Sequence, residues 1–462
     1  MTSRDQTLTA VQSPLAQGEQ KDRAVLLMVG SAETPGLPAR TRLSILGDEL
    51  VVGRRAPDEL RPGAHALVLT DGVVSGQHAR LTRAAGGGYE LEDLGSKNGT
   101  WLDNAKLSEK TKLRDGALLF FGNHAAVFRL VSSIEIEAMK SELVTPLGPV
   151  ATVSPGLAVA CDRLRRLAAS EGELLIVGET GVGKEVYARA VHQASGRKGR
   201  FMAINCAAIP RELVESELFG YRAGAHSTAH TAKPGLIEEA EGGTLFLDEI
   251  GEMTGEAQIK LLRFLQDREL TPLGATRPRR MDVRIVAATN RTSGLSGAPR
   301  GPGGLRDDIV ARLGAAPIHL PPLRSRVEDL GALAAHFLRA TPGVTFDQPA
   351  FRALCLHAWP LNVRELEKIV TTAAVLSAGA KPIGLRDLPE PIARAIESTP
   401  AAAGARRPSG PSPTPAQLEE LLRRYEGNVA DVSRELGKHR AAVWRWIKKF
   451  GIGPQKFRKD AE

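Results

Sequence analysis

Hydrophobic and polar positions follow three different patterns along the chain. Between residues 24 and 131, short apolar runs separated by Gly, Asp and Asn are typical of a β-sandwich. From 151 to 395, apolar runs alternate with amphipathic segments, which predicts an α/β fold with a parallel sheet, followed by helices near 327–395. From 416 to 462, helical spacing predicts a small all-α domain. The predicted strands of the first part are 24–29, 41–45, 50–52, 66–69, 79–81, 89–92, 117–121 and 125–131.

Segments with few apolar residues separate these parts. Residues 1–23 are polar and predict a disordered tail. Residues 132–150 have mixed charge and end in Pro-Leu-Gly-Pro, and residues 396–415 are rich in Ala, Pro, Ser and Gly, so both predict linkers. With 462 residues the chain is long enough for about three domains.

The composition indicates a cytoplasmic protein without membrane contact. No apolar run approaches the roughly 20 residues that a spanning helix needs, and the polar residues 1–23 do not resemble a signal peptide. The three cysteines, Cys161, Cys206 and Cys355, are scattered outside any metal-ligand spacing. This spacing favours reduced thiols, to which we assign no chemistry.

One glycine-rich loop has the spacing of a nucleotide site. It consists of Gly178, Glu179, Thr180, Gly181, Val182, Gly183, Lys184 and Glu185. An apolar run precedes the loop and a helical pattern follows it, so that backbone N–H groups and Lys184 can face the phosphates of ATP. Glu185 occupies the position at which Ser or Thr usually reaches magnesium, so we expect carboxylates elsewhere to hold Mg²⁺.

Those carboxylates follow a second apolar run, residues 242–247. Asp248 and Glu249 end this predicted buried strand. Asp248 would hold magnesium, and Glu249 would polarise the water that attacks the γ-phosphate. A solvated acidic turn is the alternative, and the phosphate loop earlier in the chain favours the catalytic interpretation.

Positive charge is concentrated near the C-terminal end. The net charge is +8, and residues 436–459 contain eight Lys or Arg and no acid. In the third predicted helix of this part, Val443, Trp446, Ile447 and Phe450 form one apolar stripe. A helix-turn-helix that binds DNA is the predicted function of this region. The candidate DNA contacts lie off the stripe and are Arg440, Trp444, Arg445, Lys448 and Lys449.

Three motifs on predicted loops of the sandwich resemble those of the forkhead-associated (FHA) domain, a reader of phosphothreonine peptides. They are Gly53-Arg54, the segment from Ser75 to His78, and the segment from Asp93 to Thr100. The resemblance implies that Arg54 and Ser75 hold the phosphate, Asn98 bonds the peptide backbone and His78 braces the loops from inside. A guanidinium and a hydroxyl suit phosphate oxygens. The resemblance therefore implies a phosphothreonine-containing protein as partner.

Six ordered motifs resemble the AAA+ ATPase of the bacterial enhancer-binding activators of sigma-54 RNA polymerase. They span residues 178–185, 205–208, 217–220, 242–253, 287–290 and 359–366. The C-terminal part resembles the Fis-type helix-turn-helix of the same activators, which bind upstream promoter or enhancer sites. The resemblance implies a homo-oligomeric ring with ATP and Mg²⁺ at subunit interfaces. It also implies that Asn205 restrains Glu249, that Asn290 and Arg364 sense nucleotide, and that Arg306 and Arg312 reach the neighbour's phosphate.

The loop that contacts sigma-54 in this family leaves two functions open. The family sequence Gly-Ala-Phe-Thr-Gly-Ala is replaced here by Gly-Ala-His226-Ser227-Thr228-Ala. The first function is an ATP-dependent, DNA-binding activator of sigma-54 RNA polymerase with a phosphothreonine sensor. The second is a DNA-binding regulator or scaffold that uses ATP for oligomerisation without remodelling sigma-54. A metabolic enzyme is a third class, but no substrate pocket is indicated by the sequence.

Overall fold

A computed structural model of the chain describes residues 23–57, 59, 62–225, 231–290, 305–314, 317–377, 382–396, 415–425, 427–435, 443–444, 446–447, 450 and 452. The chain divides into two compact units, Met1–Thr399 and Pro400–Glu462. The β-sandwich and the α/β domain belong to one unit. The predicted tail is one residue too long, because Arg23 already begins a strand. The linker predicted over 396–415 lies mostly outside the described residues.

The predicted β-sandwich is confirmed, because each predicted run contains a strand. Its strands are β1 Arg23–Ser31, β2 Leu43–Ile45, β3 Glu49–Gly53, β4 Ala64–Val68, β5 Ala79–Arg83, β6 Tyr89–Asp93, β7 Thr100–Leu102, β8 Ala105–Lys106, β9 Thr111–Lys112, β10 Ala117–Phe121 and β11 His124–Val131. One sheet has the order β2-β1-β11-β10-β7-β8 and the other β4-β3-β5-β6-β9. The strands β7, β8 and β9 have only two or three residues, too few to give a readable pattern.

The segment predicted as a linker contains a helix, α1 Ser133–Val144. Its N-terminus has a capping box, in which Ser132 accepts from the Glu135 amide and the Glu135 carboxylate accepts from the Ser132 amide. Ile136 and Met139 pack against Val25 and Leu27 of the sandwich. The segment is therefore ordered by its cap and by an apolar stripe, and it packs as part of the first unit.

The α/β domain follows α1 in the chain. Its helices and strands are α2 Pro155–Ala168, β12 Leu174–Val177, α3 Lys184–Ser195, β13 Phe201–Asn205, α4 Arg211–Phe219, α5 Leu236–Glu239, β14 Thr244–Asp248, α6 Gly255–Asp267, β15 Glu269–Leu270, β16 Arg279–Arg280, β17 Arg284–Thr289, α7 Asp307–Leu313 and β18 Ile318–His319. The central sheet has the order β13-β14-β17-β12-β18 and is parallel throughout. Parallel strands end at the same edge, so Val177, Asp248 and Thr289 lie side by side.

A small helical lid completes the first unit. It contains α8 Leu330–Phe337, α9 Gln348–Leu356, α10 Asn362–Leu376 and α11 Glu390–Ala393, as well as short 3₁₀ turns at Leu323–Ser325, Val327–Asp329, Leu338–Ala340, Leu385–Asp387 and Arg394–Ile396. These helices confirm the helical prediction for residues 327–395. Trp359 and Phe351 of the lid belong to the same hydrophobic core as Val29, Phe120 and Val127 of the sandwich. The sandwich and the lid are thus joined by one continuous core.

The second unit contains α12 Pro415–Arg424 and α13 Val429–Glu435. Leu418, Leu422, Val432, Val443 and Ile447 are buried together in one core. Val443 and Ile447 belong to the apolar stripe predicted for the third helix, and they are helical in the structure. No helix among the described residues is long and apolar enough to span a bilayer.

Candidate functional site

The phosphate loop connects the end of β12 to the start of α3. Gly181 and Gly183 have φ angles of +80° and +102°, a region that side chains other than glycine rarely adopt. A Cβ atom on Gly181 would lie 2.2 Å from the Leu361 carbonyl oxygen, so this glycine also permits close packing of the lid. The Gly178 amide donates to Thr289 O at 3.1 Å, which ties the loop to β17.

Lys184, the first residue of α3, is 6% exposed and points into this edge of the sheet. Its Nζ atom donates to Gly178 O and to Glu249 Oε1, both at 3.0 Å. The ammonium therefore lies between the loop and the predicted catalytic carboxylate. A bound phosphate would compete with these two acceptors for its protons.

Glu249 has a left-handed backbone, with φ 51° and ψ 47°. A residue with a side chain adopts this conformation at a cost of about 1–2 kcal/mol, so the surrounding contacts must hold it. One carboxylate oxygen accepts from Lys184, and the other accepts from the Asn290 amide at 3.0 Å. Both oxygens of Glu249 are thus oriented, one by the first residue of α3 and the other by the residue that follows β17.

Asp248 lies beside Glu249 at the end of β14. Its Oδ1 atom accepts from the Glu249 amide at 3.0 Å. Burial raises the pKa of Asp248, and the Lys184 charge opposes this shift. Among the described residues no group of three or more His, Cys, Asp and Glu could form a metal cage. A single carboxylate beside a phosphate loop fits Mg²⁺, which is usually held by one or two carboxylates plus substrate phosphates.

Asn205 ends β13 and lies in register with Asp248. Its Oδ1 atom accepts from the Ala207 amide at 2.9 Å. Lys184 and Asn290 make the described hydrogen bonds to the Glu249 carboxylate instead. The structure therefore places Asn205 next to the site, and its restraint of Glu249 stays a prediction.

Glu185 and Thr180, two other polar residues of the loop, are bonded to groups other than Lys184. Glu185 is exposed and pairs with Arg189 one helical turn later, at 2.8 Å. Thr180 Oγ1 accepts from Asn290 Nδ2 at 3.4 Å, which brings the predicted nucleotide-sensing amide to the loop. Glu185 is thus paired on the helix surface, and the expectation that carboxylates elsewhere hold the metal stays a prediction.

The lid contacts the phosphate loop through the first turn of α10. The Val363 and Arg364 amides donate to Gly181 O at 3.0 and 3.4 Å. Asn362 is fully buried, and its Nδ2 atom donates to Thr180 O at 3.0 Å. Arg364, predicted to sense nucleotide, therefore lies beside the loop. Sequence reasoning missed Asn362, although it belongs to the motif 359–366.

Two further arginines that sequence reasoning missed hold the loop from the first residues of the lid. Arg324 makes a bidentate pair with Glu179, at 2.5 and 2.7 Å. This pair and Asn362 hold the pKa of Glu179 below its usual value. Arg326 is 3% exposed and donates to Val182 O at 2.9 Å. Nothing in the local pattern distinguishes these arginines from surface charge.

The two predicted arginine fingers are exposed on or beside α7. Arg306 precedes the helix and pairs with Asp308 at 2.7 Å, and Arg312 lies in the last turn. An exposed ion pair of this kind is weak and can exchange for a phosphate. The structure leaves both side chains at the surface, where a neighbouring subunit could be reached.

The predicted phosphopeptide residues meet at one end of the sandwich. Ser75 Oγ accepts from the Lys97 amide at 3.0 Å, and Asn98 Nδ2 donates to Val73 O at 2.7 Å. The Arg54 amide donates to Ser75 O at 2.9 Å, and the Arg54 side chain is exposed. These bonds place Arg54, Ser75 and Asn98 on adjacent loops around one surface.

His78 lies beneath these loops and is fully buried. Its Nδ1 atom accepts from the Ser75 amide at 3.2 Å, and its Nε2 atom lies 3.3 Å from Gly99 O. Asp93, which sequence reasoning did not single out, accepts from the Ser96 and Thr100 backbone and hydroxyl groups. Burial raises the pKa of Asp93, but these bonds outweigh it and lower the pKa overall.

Residues of two predicted sites lie outside the part of the chain that the structure describes. In the sigma-contacting loop these residues are His226, Ser227 and Thr228. Four of the predicted DNA contacts also lie outside this part, namely Arg440, Arg445, Lys448 and Lys449. The fifth, Trp444, is 46% exposed on its helix.

Comparisons with known proteins agree with this architecture. Residues 150–319 match the family model of the sigma-54 interaction domain, 50–122 that of the FHA domain and 324–405 that of the AAA+ ATPase lid domain. The regulatory protein AtoC of Escherichia coli (strain K12) is 39% identical over 320 residues, which cover 66% of this chain and 68% of AtoC. The DNA-binding transcriptional regulator NtrC of Azospirillum brasilense is 45% identical over 283 residues, which cover 60% of this chain and 57% of NtrC.

Among solved structures, NtrX from Brucella abortus in complex with ADP is 28% identical with a TM-score of 0.48, covering 69% of this chain and 72% of that one. The matched residues span 68% of the length of AtoC and 57% of the length of NtrC. The identity to AtoC and the three matched domains establish the family. The chain belongs to the sigma-54 enhancer-binding transcriptional regulators and carries their AAA+ ATPase domain together with an FHA domain.

Proposed function

We propose that the protein is an ATP-dependent, DNA-binding activator that remodels sigma-54 RNA polymerase under the control of a phosphothreonine-containing protein. One observation carries the motor part of this proposal. Lys184, Asp248 and Glu249 converge beside the phosphate loop, and both oxygens of Glu249 are oriented. Charge and orientation of this kind are what phosphoryl transfer to water needs.

Each residue of this cluster has a role in the proposal. The phosphate loop and Lys184 bind the ATP phosphates, and Asp248 holds Mg²⁺, which would neutralise charge on the phosphate oxygens. Glu249 accepts a proton from the attacking water and orients it. Asn290 and Arg364 contact the site from β17 and from the lid, which supports their roles in reporting the nucleotide state.

Assembly into a ring would complete the site. Arg306 and Arg312 are exposed, and their side chains are available to a neighbouring subunit. A cation supplied by the neighbour would stabilise charge on the γ-phosphoryl oxygens, so that hydrolysis depends on oligomerisation. We propose that Asn205 restrains Glu249 until nucleotide is sensed.

The other two domains would sense the phosphorylated partner and bind the promoter. The loops that carry Arg54, Ser75 and Asn98 would bind a phosphothreonine peptide, because they present a cation, a hydroxyl and an amide on one surface. The C-terminal unit would bind an upstream promoter site in the cytoplasm as a helix-turn-helix. Its apolar core and the acid-free run 436–459 support this assignment.

A second function has one observation in its favour. Residues 226–228 read His-Ser-Thr where the family has Phe-Thr-Gly, which removes an aromatic side chain that could insert into a partner. A DNA-binding scaffold that uses ATP for oligomerisation would keep the ATPase and DNA-binding activities and lack the remodelling activity.

Open-complex formation by sigma-54 RNA polymerase on a cognate promoter tests the proposal. Wild-type protein with ATP and Mg²⁺ should produce open complexes, and Glu249→Gln should not. Promoter binding and ATP turnover without open complexes would support the scaffold function instead.

A further inference from the structure

Two consecutive acidic residues of the first unit are buried against arginines of the sandwich. Glu328 is fully buried, and both its carboxylate oxygens accept from Arg129 Nη2, at 3.0 and 3.2 Å. Asp329 is 2% exposed, and its Oδ1 atom accepts from Arg42 Nη2 at 3.0 Å. Charges removed from water in this way depend on their partners, because a lone buried charge is strongly unfavourable.

The same arginines also hold the backbone of the segment that carries these acids. Arg129 Nη2 donates to Ser325 O at 2.8 Å, and Arg42 Nη2 donates to Glu328 O at 3.1 Å. Arg42 Nη1 donates to Ala151 O at 2.5 Å, which ties the segment to the start of the ATPase domain. Residues 323–329 are thus fixed by side chain and by main chain from the sandwich side.

On its other side this segment contacts the phosphate loop. Arg324 pairs with Glu179, and Arg326 donates to Val182 O. The Leu323 amide donates to Asn362 Oδ1 at 2.8 Å, and Asn362 in turn holds the phosphate loop. Seven residues therefore connect the sandwich to the loop that binds phosphate.

Close packing holds the sandwich against the lid. A Cβ atom on Gly331 of α8 would lie 2.2 Å from Val29 O and 2.5 Å from Pro35 O. Arg352 of α9 places its guanidinium carbon 3.7 Å from the centre of the Trp101 ring. Burial lowers the pKa of Arg352 to about 10. The contact is as tight as a protein interior and leaves no room for an added methyl group at Gly331.

We propose that the FHA sandwich is a positioning element of the ATPase, in which Arg42 and Arg129 hold residues 323–329 where Arg324 and Arg326 shape the phosphate loop. Docking of the sandwich then raises the affinity for nucleotide. A sandwich displaced from the lid leaves Glu328 without its arginine and Asp329 with the hydrogen bonds from Thr152 and Val153 alone. The segment then moves to hydrate the two carboxylates. This coupling acts on nucleotide binding alone and requires no recognition of phosphopeptide, DNA or sigma-54.

Two substitutions in the full-length chain test this coupling from different directions. Arg129→Met removes the charge pair, and Gly331→Ala forces α8 away from β1 without altering any charge. Gly156→Ala is the matched control, since Gly156 is also the second residue of its helix and a Cβ there meets nothing within 4 Å. The affinity for a fluorescent ATP analogue with Mg²⁺, kcat and KM for ATP, and the affinity for a phosphothreonine peptide are measured for each.

Both interface variants should bind nucleotide at least about fivefold more weakly, a typical size for coupling between sites. In both variants KM for ATP should rise by a larger factor than kcat falls, and phosphopeptide affinity should be unchanged. Arg129→Lys should recover part of the lost nucleotide affinity because it keeps a cation. Thermal unfolding like that of the wild type shows that each variant is folded, whether or not the sandwich binds the peptide. Nucleotide affinity equal to wild type in the folded variants would overturn the proposal. Tighter nucleotide binding would also overturn it, because the docked sandwich would then lower the affinity for nucleotide.

Discussion

Lys184 Nζ and Glu249 Oε1 lie 3.0 Å apart, although 65 residues separate them in the chain. The pair joins the phosphate loop after β12 to the end of β14. It holds the cation that would bind phosphate beside the carboxylate that would activate water. A nucleotide that draws Lys184 towards its phosphates would release one oxygen of Glu249 for the water molecule.

Glu249→Gln should preserve ATP binding and lose most turnover. The phosphate loop and Lys184 are unchanged, but the amide cannot accept a proton from water, and general base catalysis contributes about 10²- to 10⁴-fold. Steady-state turnover and nucleotide affinity are measured together. Glu256→Gln serves as the control, because Glu256 is exposed in the first turn of α6. Turnover within twofold of wild type would remove Glu249 from the assigned role.

Gly181→Ala should weaken ATP binding by disturbing the lid. The new Cβ atom would meet Leu361 O at 2.2 Å, in addition to the cost of about 1–2 kcal/mol for a left-handed alanine. Gly196→Ala has a similar φ of +72° at the end of α3 but meets nothing within 4 Å. The Gly196→Ala variant should therefore lose folding stability and keep its affinity for ATP. Equal nucleotide affinity in the two variants would contradict the lid contact.

Arg54→Ala should abolish selectivity for phosphothreonine peptides. Loss of a charged hydrogen bond to phosphate costs roughly 1.5–3 kcal/mol, which is of the order of 10- to 100-fold in affinity. Arg83→Ala removes an exposed arginine at the end of β5 and should have no such effect. Calorimetry with phosphorylated and unphosphorylated peptides provides the comparison. Equal binding of both peptides by wild type would show a docking domain without phosphate recognition.

The stability of the sandwich should depend on pH through His78. Burial lowers its pKa below the ordinary value of 6.5, so between the two values the unfolded chain binds more protons than the folded one. The stabilisation is complete above pH 6.5 and is lost as the pH falls through this window. His78→Asn keeps an acceptor for the Ser75 amide and cannot titrate.

The difference in free energy of unfolding between wild type and His78→Asn should therefore be constant above pH 6.5 and should fall as the pH drops below it. Denaturant unfolding at a series of pH values measures this difference. A difference that is constant with pH on both sides of 6.5 would show that His78 does not support the loops through its neutral form.

The sequence was sufficient to predict the longer strands of the sandwich and the phosphate site, because alternation in the sandwich and the strand-loop-helix order of the phosphate site are local patterns. Helix α1 was missed although its capping box, Ser132 with Glu135, is also local. The left-handed backbone of Glu249 and the buried pair of Arg42 with Asp329 could not be predicted. The partners of that pair are 287 residues apart, and only the tertiary fold brings them together.

Capture of sigma-54 by the wild-type protein tests the proposed function most directly. The protein is loaded with a transition-state analogue of ATP and Mg²⁺, and sigma-54 that co-purifies with it is quantified against a sample without nucleotide. We predict nucleotide-dependent capture of sigma-54 by the wild type and loss of this capture in Lys184→Ala. If the wild type hydrolyses ATP and binds its promoter but captures no sigma-54, while His226→Phe, Ser227→Thr and Thr228→Gly together restore capture, the activator function is contradicted and the scaffold function stands.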